Sequence, residues 1–140
     1  MPWAEDEWTP LLGLALGGPV ELHARLEQGL PYEALERLRA VLDVPVARVA
    51  ELVRIPLRTL ARRKDAGRLQ PEESDRLLRL ARVVALALGL FEGDVDPARA
   101  WLDQPQMALG QQAPLDLATT DVGSREVERL IGRLEHGIPL

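Results

Sequence analysis

The 140-residue chain contains no cysteine and very few aromatic side chains. Without cysteine, a disulfide scaffold and a thiolate metal site are both excluded. Aromatic residues make up 4% of the chain, whereas leucine and alanine dominate a hydrophobic fraction of 46%. Strands depend on β-branched and aromatic residues that alternate with polar ones, and this alternation is rare here. The composition therefore favours helices over a β-sheet.

Histidine and long apolar runs are also scarce. His23 and His136 are far apart and lack ligand-like spacing, so we interpret both as surface side chains and expect neither a metal site nor a cofactor. The most apolar runs, residues 11–16 and 83–91, are too short to span a membrane. The N-terminus is acidic over residues 5–7, where a secretory signal would be basic. We expect a cytoplasmic protein with no membrane contact.

The net charge of −5 is unevenly distributed along the chain. From Arg48 to Arg68, seven basic residues stand against two acidic ones, so this window carries +5 and the rest of the chain −10. A basic patch on an acidic chain is typical of a DNA-reading element in a protein that also has another task. The basic residues of the window are Arg48, Arg54, Arg58, Arg62, Arg63, Lys64 and Arg68.

Helix signals follow one another along most of the chain, which predicts an all-α fold. Residues 1–18 show no clear periodicity and are interpreted as a loosely ordered arm, followed by a short helix that ends at Gly29. Residues 89–97, with their glycines and aspartates, are interpreted as a linker. The last helix carries apolar residues at i, i+3, i+4 and i+7 from Val127 to Leu134. The predicted helices are residues 19–29, 31–42, 46–53, 56–64, a long helix from residue 70, 98–103, a short turn of helix at 105–110, and 120–136.

Residues 46–65 match the requirements of a helix-turn-helix. Two short helices joined by a tight turn pack at a steep angle, and Ala50 is the small residue where they would cross. The turn position usually held by glycine is Arg54, where a left-handed backbone costs a non-glycine residue about 1 kcal/mol or more. The apolar residues at the offsets that this motif buries are Val49, Val53, Ile55 and Leu60.

The predicted helix at residues 56–64 is the candidate recognition helix. Arg58 and Arg62 are one turn apart on its outward face, and arginine can bridge guanine O6 and N7 in the major groove. We assign Leu57, Leu60 and Ala61 to its inward face. An ordinary solvated face is the weaker alternative, because acidic residues are nearly absent there. The candidate DNA-binding residues are Arg54, Leu57, Arg58, Thr59 and Arg62, with Arg63, Lys64 and Arg68 as contacts to phosphates.

Two stretches of sequence carry a family resemblance. The first, across the predicted helix 56–64 and the start of the long helix from residue 70, reads Leu60-Ala61-Arg62-Arg63-Lys64, Gly67-Arg68-Leu69 and Pro71-Glu72-Glu73-Ser74-Asp75-Arg76-Leu77. The second reads Trp101-Leu102, Pro105, Ala108-Leu109-Gly110, Pro114-Leu115-Asp116-Leu117, Thr119-Thr120, Gly123, Val127, Leu130-Ile131-Gly132-Arg133 and Glu135-His136-Gly137. Over about residues 29–140 the chain resembles Xre-type antitoxins of the Xre/ParS toxin-binding family. Gln111-Gln112 departs from the glycine often found after Ala-Leu-Gly in that family, which bears on the shape of that loop.

The resemblance implies a division of labour between two domains. After an arm and short helix (residues 1–28), a helix-turn-helix domain (29–91) would repress the shared operon as a homodimer on palindromic operator DNA. A small helical toxin-binding domain (92–140) would cover a RES-domain toxin that destroys NAD, within a larger toxin–antitoxin complex and with the chain end near the NAD pocket. The candidate toxin-binding residues are Arg125, Arg129, Arg133, His136, Gly137, Ile138, Pro139 and Leu140.

Several alternatives stay open at this point. The arginines of the last helix are explained equally well as solvated side chains balanced by neighbouring glutamates, whereas the apolar tail 138–140 favours an interface. Trp101, Met107 and Leu109 are ordinary core candidates. We expect no enzyme, because no nucleophile–base pair, phosphate loop or metal set is present. A stand-alone dimeric repressor without a toxin partner is the alternative function.

Overall fold

The computed structural model describes residues 9–14 and 18–137, and all regular secondary structure within these ranges is helical. The all-α prediction is confirmed. None of the helices in these ranges is long and apolar enough to cross a membrane. The α-helices are α1 (Pro19–Gln28), α2 (Tyr32–Leu42), α3 (Val46–Val53), α4 (Leu57–Ala66), α5 (Pro71–Leu90), α6 (Val95–Asp103), α7 (Pro114–Leu117) and α8 (Asp121–Glu135), with short 3-10 helices at Thr9–Leu12 and Met107–Leu109.

Prolines determine where the helices of the first half begin. Pro31, Pro45 and Pro56 occupy the N-cap positions of α2, α3 and α4, where their fixed φ near −60° suits an extended residue just before a helix. Helix α4 therefore runs over Leu57–Ala66, slightly later than the predicted residues 56–64. Helix α3 runs over Val46–Val53, as predicted.

The long helix α5 is the centre of the core. Its buried residues lie on more than one face, and it packs against α1, α3, α6 and α8 as well as the first 3-10 helix. Leu77, Leu80, Val84 and Leu88 are all nearly inaccessible to solvent. Both halves of the chain are thus built against one continuous helix.

The description of residues 1–18 as a loosely ordered arm is wrong for residues 9–14. Leu12 and Leu14 are buried in the core, where the 3-10 helix lies against α2 and α5. A single turn is too short to show periodicity, so its contribution to the core was not visible in the sequence.

The second half is more helical than predicted. α5 continues to Leu90 and α6 already begins at Val95, so the predicted linker shortens to a turn. Trp101 packs half-buried against Phe91, with ring centroids 6.4 Å apart. Met107 is 83% exposed, so its assignment to the core is wrong.

Arginine side chains from distant parts of the sequence bind the carbonyl groups at helix ends. Arg99 of α6 donates from Nε to the Val41 carbonyl at the end of α2, over 2.7 Å. Arg68 donates to the Gly29 carbonyl just after α1, also over 2.7 Å. These bonds satisfy acceptors that a helix end leaves unpaired, and they hold helices from distant parts of the chain together.

Candidate functional site

The turn between α3 and α4 has the geometry of a helix-turn-helix. Arg54 adopts the left-handed conformation expected for its position, with φ 56° and ψ 46°. The Ile55 amide donates to the Ala50 carbonyl over 3.0 Å, and the Arg54 amide donates to the Glu51 carbonyl over 3.2 Å. This pair of bonds is a Schellman motif, which closes the end of α3.

A side chain from α5 supports this turn. Arg76 Nε donates to the Val53 carbonyl over 2.6 Å, and its guanidinium reaches the Arg54 carbonyl over 3.5 Å. These bonds offset the strain of a non-glycine residue in the left-handed region. The predicted burial of Val49, Val53, Ile55 and Leu60, and of Ala50 at the crossing, is confirmed.

The outward face of α4 is wider than the sequence indicated. Within α4, which the structure describes throughout, Leu60 is the one buried residue. Leu57 is 53% exposed and Ala61 is also exposed, so the prediction that both face inward is wrong. The physical reason is that α4 lies at the periphery and packs mainly against α3, so only a narrow stripe of it is covered.

The basic residues of this face are accessible. Arg58, Arg62 and Lys64 are exposed, and Thr59 is half-buried. Arg62 makes a long hydrogen bond of 3.4 Å to the Thr59 hydroxyl. Arg58 and Lys64 make no ion pair or side-chain hydrogen bond with any residue in the described part of the chain. Their charges are therefore available to a ligand.

Arg63 has a different environment from its neighbours on α4. Its guanidinium makes a two-pronged contact with the Glu73 carboxylate, at 2.8 and 3.2 Å. Glu73 also accepts the Gln70 amide over 2.8 Å, completing a capping box at the start of α5. Burial alone would raise the pKa of Glu73, but the hydrogen bonds from Arg63 and Gln70, with the nearby Arg76 charge, hold it below its usual value. Arg63 thus joins α4 to α5.

Two further members of the basic window are also held by the fold. Arg68 donates to the Gly29 carbonyl, as described above. Arg48 of α3 lies 3.0 Å from Asp116 of α7 and 3.9 Å from Asp103 of α6. The window therefore separates into residues that stabilise the structure and an exposed group: Arg54, Arg58, Arg62 and Lys64.

The second candidate surface is the exposed side of α8. Arg125, Arg129 and Arg133, which we call the α8 basic stripe, are all exposed and follow one another at one-turn spacing. Arg125 pairs with Asp121 over 2.9 Å and Arg129 pairs with Glu126, both within the helix. Such exposed pairs are weak and exchange easily for other partners.

The stripe continues to the end of the described chain. Arg133 is exposed and has no ion pair with a described residue, and His136 and Gly137 are exposed beyond it. Leu134, predicted to lie on the core face, is 37% exposed at the edge of that face. The remaining predicted contacts, Ile138, Pro139 and Leu140, lie outside the described residues.

An exposed apolar side chain next to this surface was missed by sequence reasoning. Val122 is 73% exposed and lies one turn before Arg125 on the same side of α8. In the sequence, Val122 falls outside the i, i+3, i+4 core pattern of α8, and this position could have identified it as an exposed apolar residue. The Thr120 hydroxyl accepts the Gly123 amide over 3.0 Å and fixes where the helix starts.

Charged contacts with α5 add to the apolar packing of α8, whose Val127, Leu130 and Ile131 are buried in the core. Arg82 of α5 donates to Glu128 over 2.8 Å, and Arg79 lies 4.0 Å from Asp121. A surface groove of about 840 Å³ is lined in part by Arg79, which pairs there with Asp75 and Asp121. Among residues 9–14 and 18–137, no cluster of histidine, aspartate and glutamate is arranged to hold a metal ion.

Comparison with known protein families identifies two domains in the chain. Residues 21–82 match the Antitoxin Xre-like helix-turn-helix domain, and residues 86–137 match the Antitoxin Xre/MbcA/ParS C-terminal toxin-binding domain. The first match contains α3 and α4 with the exposed arginines. The second contains α8 and its basic stripe.

Relatives align with the chain over most of its length. An Antitoxin Xre from Yersinia enterocolitica is 36% identical over 91% of this chain and 86% of its own. An Antitoxin Xre from Photorhabdus laumondii is 34% identical over 86% and 82%. A Prs ADP-ribosylating antitoxin from Sphingobium sp. is 31% identical over 96% and 92%. The chain therefore belongs to the Xre antitoxin family, with a helix-turn-helix domain followed by a toxin-binding domain.

Proposed function

We propose that this antitoxin blocks a RES-type toxin that degrades NAD and represses its own operon. As a member of the family it is a non-enzymatic regulator with a toxin partner. The observation that carries the DNA-binding part is the exposed pair Arg58 and Arg62 on the outward face of α4. The resemblance to the partners of RES-domain toxins supports the choice of toxin.

The proposed DNA complex is a homodimer on a palindromic operator. Two subunits would place their α4 helices in successive major grooves. Arg58 and Arg62 would bridge guanine bases, while Lys64 and Arg54 would contact phosphates. Arg63 and Arg68, already engaged with Glu73 and Gly29, would contribute less than their charge suggests.

The proposed toxin contact is the outer side of α8 and the end of the chain. The α8 basic stripe would exchange its pairs with Asp121 and Glu126 for acidic groups on the toxin. Val122 would add apolar area beside it, as the cores of protein interfaces require. The tail 138–140 would enter the NAD pocket of the toxin.

The name of the Sphingobium relative bears on the chemistry of the toxin. It describes an antitoxin connected with ADP-ribosylation of Prs. Transfer of ADP-ribose to a protein consumes NAD, as does NAD degradation. The two reactions are distinguished by whether ADP-ribose ends on a protein or free in solution, so both products should be measured when the toxin is expressed without this chain.

Two single substitutions act as each other's control. Arg62→Ala should weaken binding to the chain's own promoter DNA by about ten- to a hundred-fold, as expected for an arginine that reads a base, and leave toxin capture unchanged. Arg133→Ala removes an arginine that is also exposed, but on α8, so it should weaken toxin capture and leave DNA binding unchanged. If Arg62→Ala keeps full promoter affinity, the recognition role of α4 is wrong.

Deletion of residues 138–140 tests the proposed role of the tail. The shortened protein should fold normally, bind the promoter and fail to neutralise the toxin fully. A truncated chain that still protects the cell completely contradicts this role. If no toxin is captured by any form, a stand-alone repressor becomes the better account.

A further inference from the structure

The outward face of α4 carries an apolar strip beside a basic strip. Leu57 and Ala61 are exposed and one turn apart, and Arg58 and Arg62 each follow by one residue, so the two strips run side by side along the helix. A single exposed leucine is common on protein surfaces, so its position carries the argument. Leu57 is the first residue of α4, directly after the N-cap Pro56.

That position is the one that meets the bases in a helix-turn-helix. The first residues of a recognition helix contact base edges in the major groove, where guanine presents two acceptors and thymine presents its 5-methyl group. Arginine matches the guanine acceptors, whereas an apolar side chain matches the methyl group. A helix with one strip of each kind is suited to neighbouring guanine and thymine bases.

We propose that Leu57, with Ala61 one turn behind it, packs against thymine methyl groups of the operator. The half-site would then contain thymines next to the guanines that Arg58 and Arg62 read. This inference rests on the proposed binding to the operator and adds a determinant of specificity to it.

The test compares two DNA duplexes and three proteins in one binding assay. The probe is the chain's own promoter fragment, synthesised either with thymidine or with deoxyuridine at every thymidine, which removes only the 5-methyl groups. The proteins are the native chain, Leu57→Ala and Val20→Ala. Val20 is the matched control, because it is 84% exposed but lies on α1.

The native protein should bind the deoxyuridine duplex more weakly, with Kd rising about four-fold for each methyl group that loses its apolar contact. Leu57→Ala should bind the thymidine duplex more weakly by a similar factor, and the difference between the two duplexes should largely vanish. Val20→Ala should behave as the native chain does. Since Leu57 is exposed, Leu57→Ala should keep the native Tm, which confirms that it folds.

Each other outcome has a defined meaning. If Leu57→Ala remains as sensitive to the methyl groups as the native chain, or the native chain is indifferent to them, the thymine contact is overturned while operator binding stands. If the native chain shows no preference for the promoter over a scrambled duplex of equal composition, the operator proposal fails and the thymine contact fails with it. If Leu57→Ala loses dimer formation or toxin capture but keeps its methyl sensitivity, Leu57 belongs to a protein interface and the inference is wrong.

Discussion

Replacing Gly123 with alanine is expected to destabilise the fold strongly, although it lies inside a helix. A Cβ at this position would lie 1.9 Å from the Leu117 carbonyl oxygen and 2.9 Å from the Thr120 hydroxyl. Because the first of these atoms is backbone, it cannot rotate away as a side chain could. The turn between α7 and α8 would have to move, and the Thr120 cap on α8 would be disturbed.

The magnitude follows from three contributions. Overpacking costs about 3 kcal/mol and a weakened N-cap about 1 kcal/mol, while the helix propensity of alanine returns about 1 kcal/mol. The free energy of unfolding should therefore fall by about 3 kcal/mol, which corresponds to a decrease in Tm on the order of 10 °C. Thermal unfolding followed by circular dichroism measures this directly.

Gly132 provides a matched control in the same helix. A Cβ there meets no atom within 4 Å, so Gly132→Ala keeps only the propensity gain and should stabilise the chain by about 0.5–1 kcal/mol. The two variants make the same chemical change with opposite expected signs. If both raise Tm, or both lower it by similar amounts, the packing of α7 against α8 has been misjudged.

Three further predictions concern the turn and the start of α5. Arg54→Gly relieves the strain of the left-handed backbone, so the free energy of unfolding measured in urea should rise by about 1 kcal/mol. The affinity of this variant for promoter DNA should fall in a binding assay. An unchanged free energy of unfolding would contradict the strain. Arg76→Met removes the donor to the Val53 carbonyl, so the free energy of unfolding should fall by about 1–2 kcal/mol in the same assay. A free energy of unfolding equal to that of the native chain would show that the bond is dispensable. The pKa of Glu73 is lowered in the folded state, so its stabilising contribution is complete above the unfolded glutamate pKa of about 4.3 and is lost as pH falls through the folded value. In denaturant titrations from about pH 6 to about pH 3, the free energy of unfolding should fall less steeply for Glu73→Gln than for the native chain. Identical slopes for the two proteins would contradict this linkage.

The local parts of the fold were predictable because their signals are local. The bounds of α3, the left-handed Arg54 and the buried Val49 and Ile55 follow from spacing within one motif. The end of α8 is similarly marked by Gly137. In each case the residues that determine the structure are close in sequence to the residues they constrain.

The rest depends on which surfaces meet, and a single sequence does not show this. Leu57 lies outward because α4 is covered by little more than α3, which periodicity does not reveal. Arg63, Arg76 and Arg99 resemble ordinary surface arginines in the sequence, yet each binds a group on another helix. For Arg99 that group lies 58 residues away. Within the basic window, Arg48 binds Asp116, which lies 68 residues away, so the window could not be sorted into structural and accessible charges in advance.

The central claim is tested most directly by cellular NAD in cells that express the open reading frame beside this gene. The account predicts that NAD falls and growth stops when the neighbour is expressed alone, and that both recover when this chain is co-expressed and forms a stable complex with it. A neighbour that is toxic and captured by this chain, but leaves NAD unchanged, contradicts the RES assignment. A neighbour that is neither toxic nor captured contradicts the proposed toxin partnership itself.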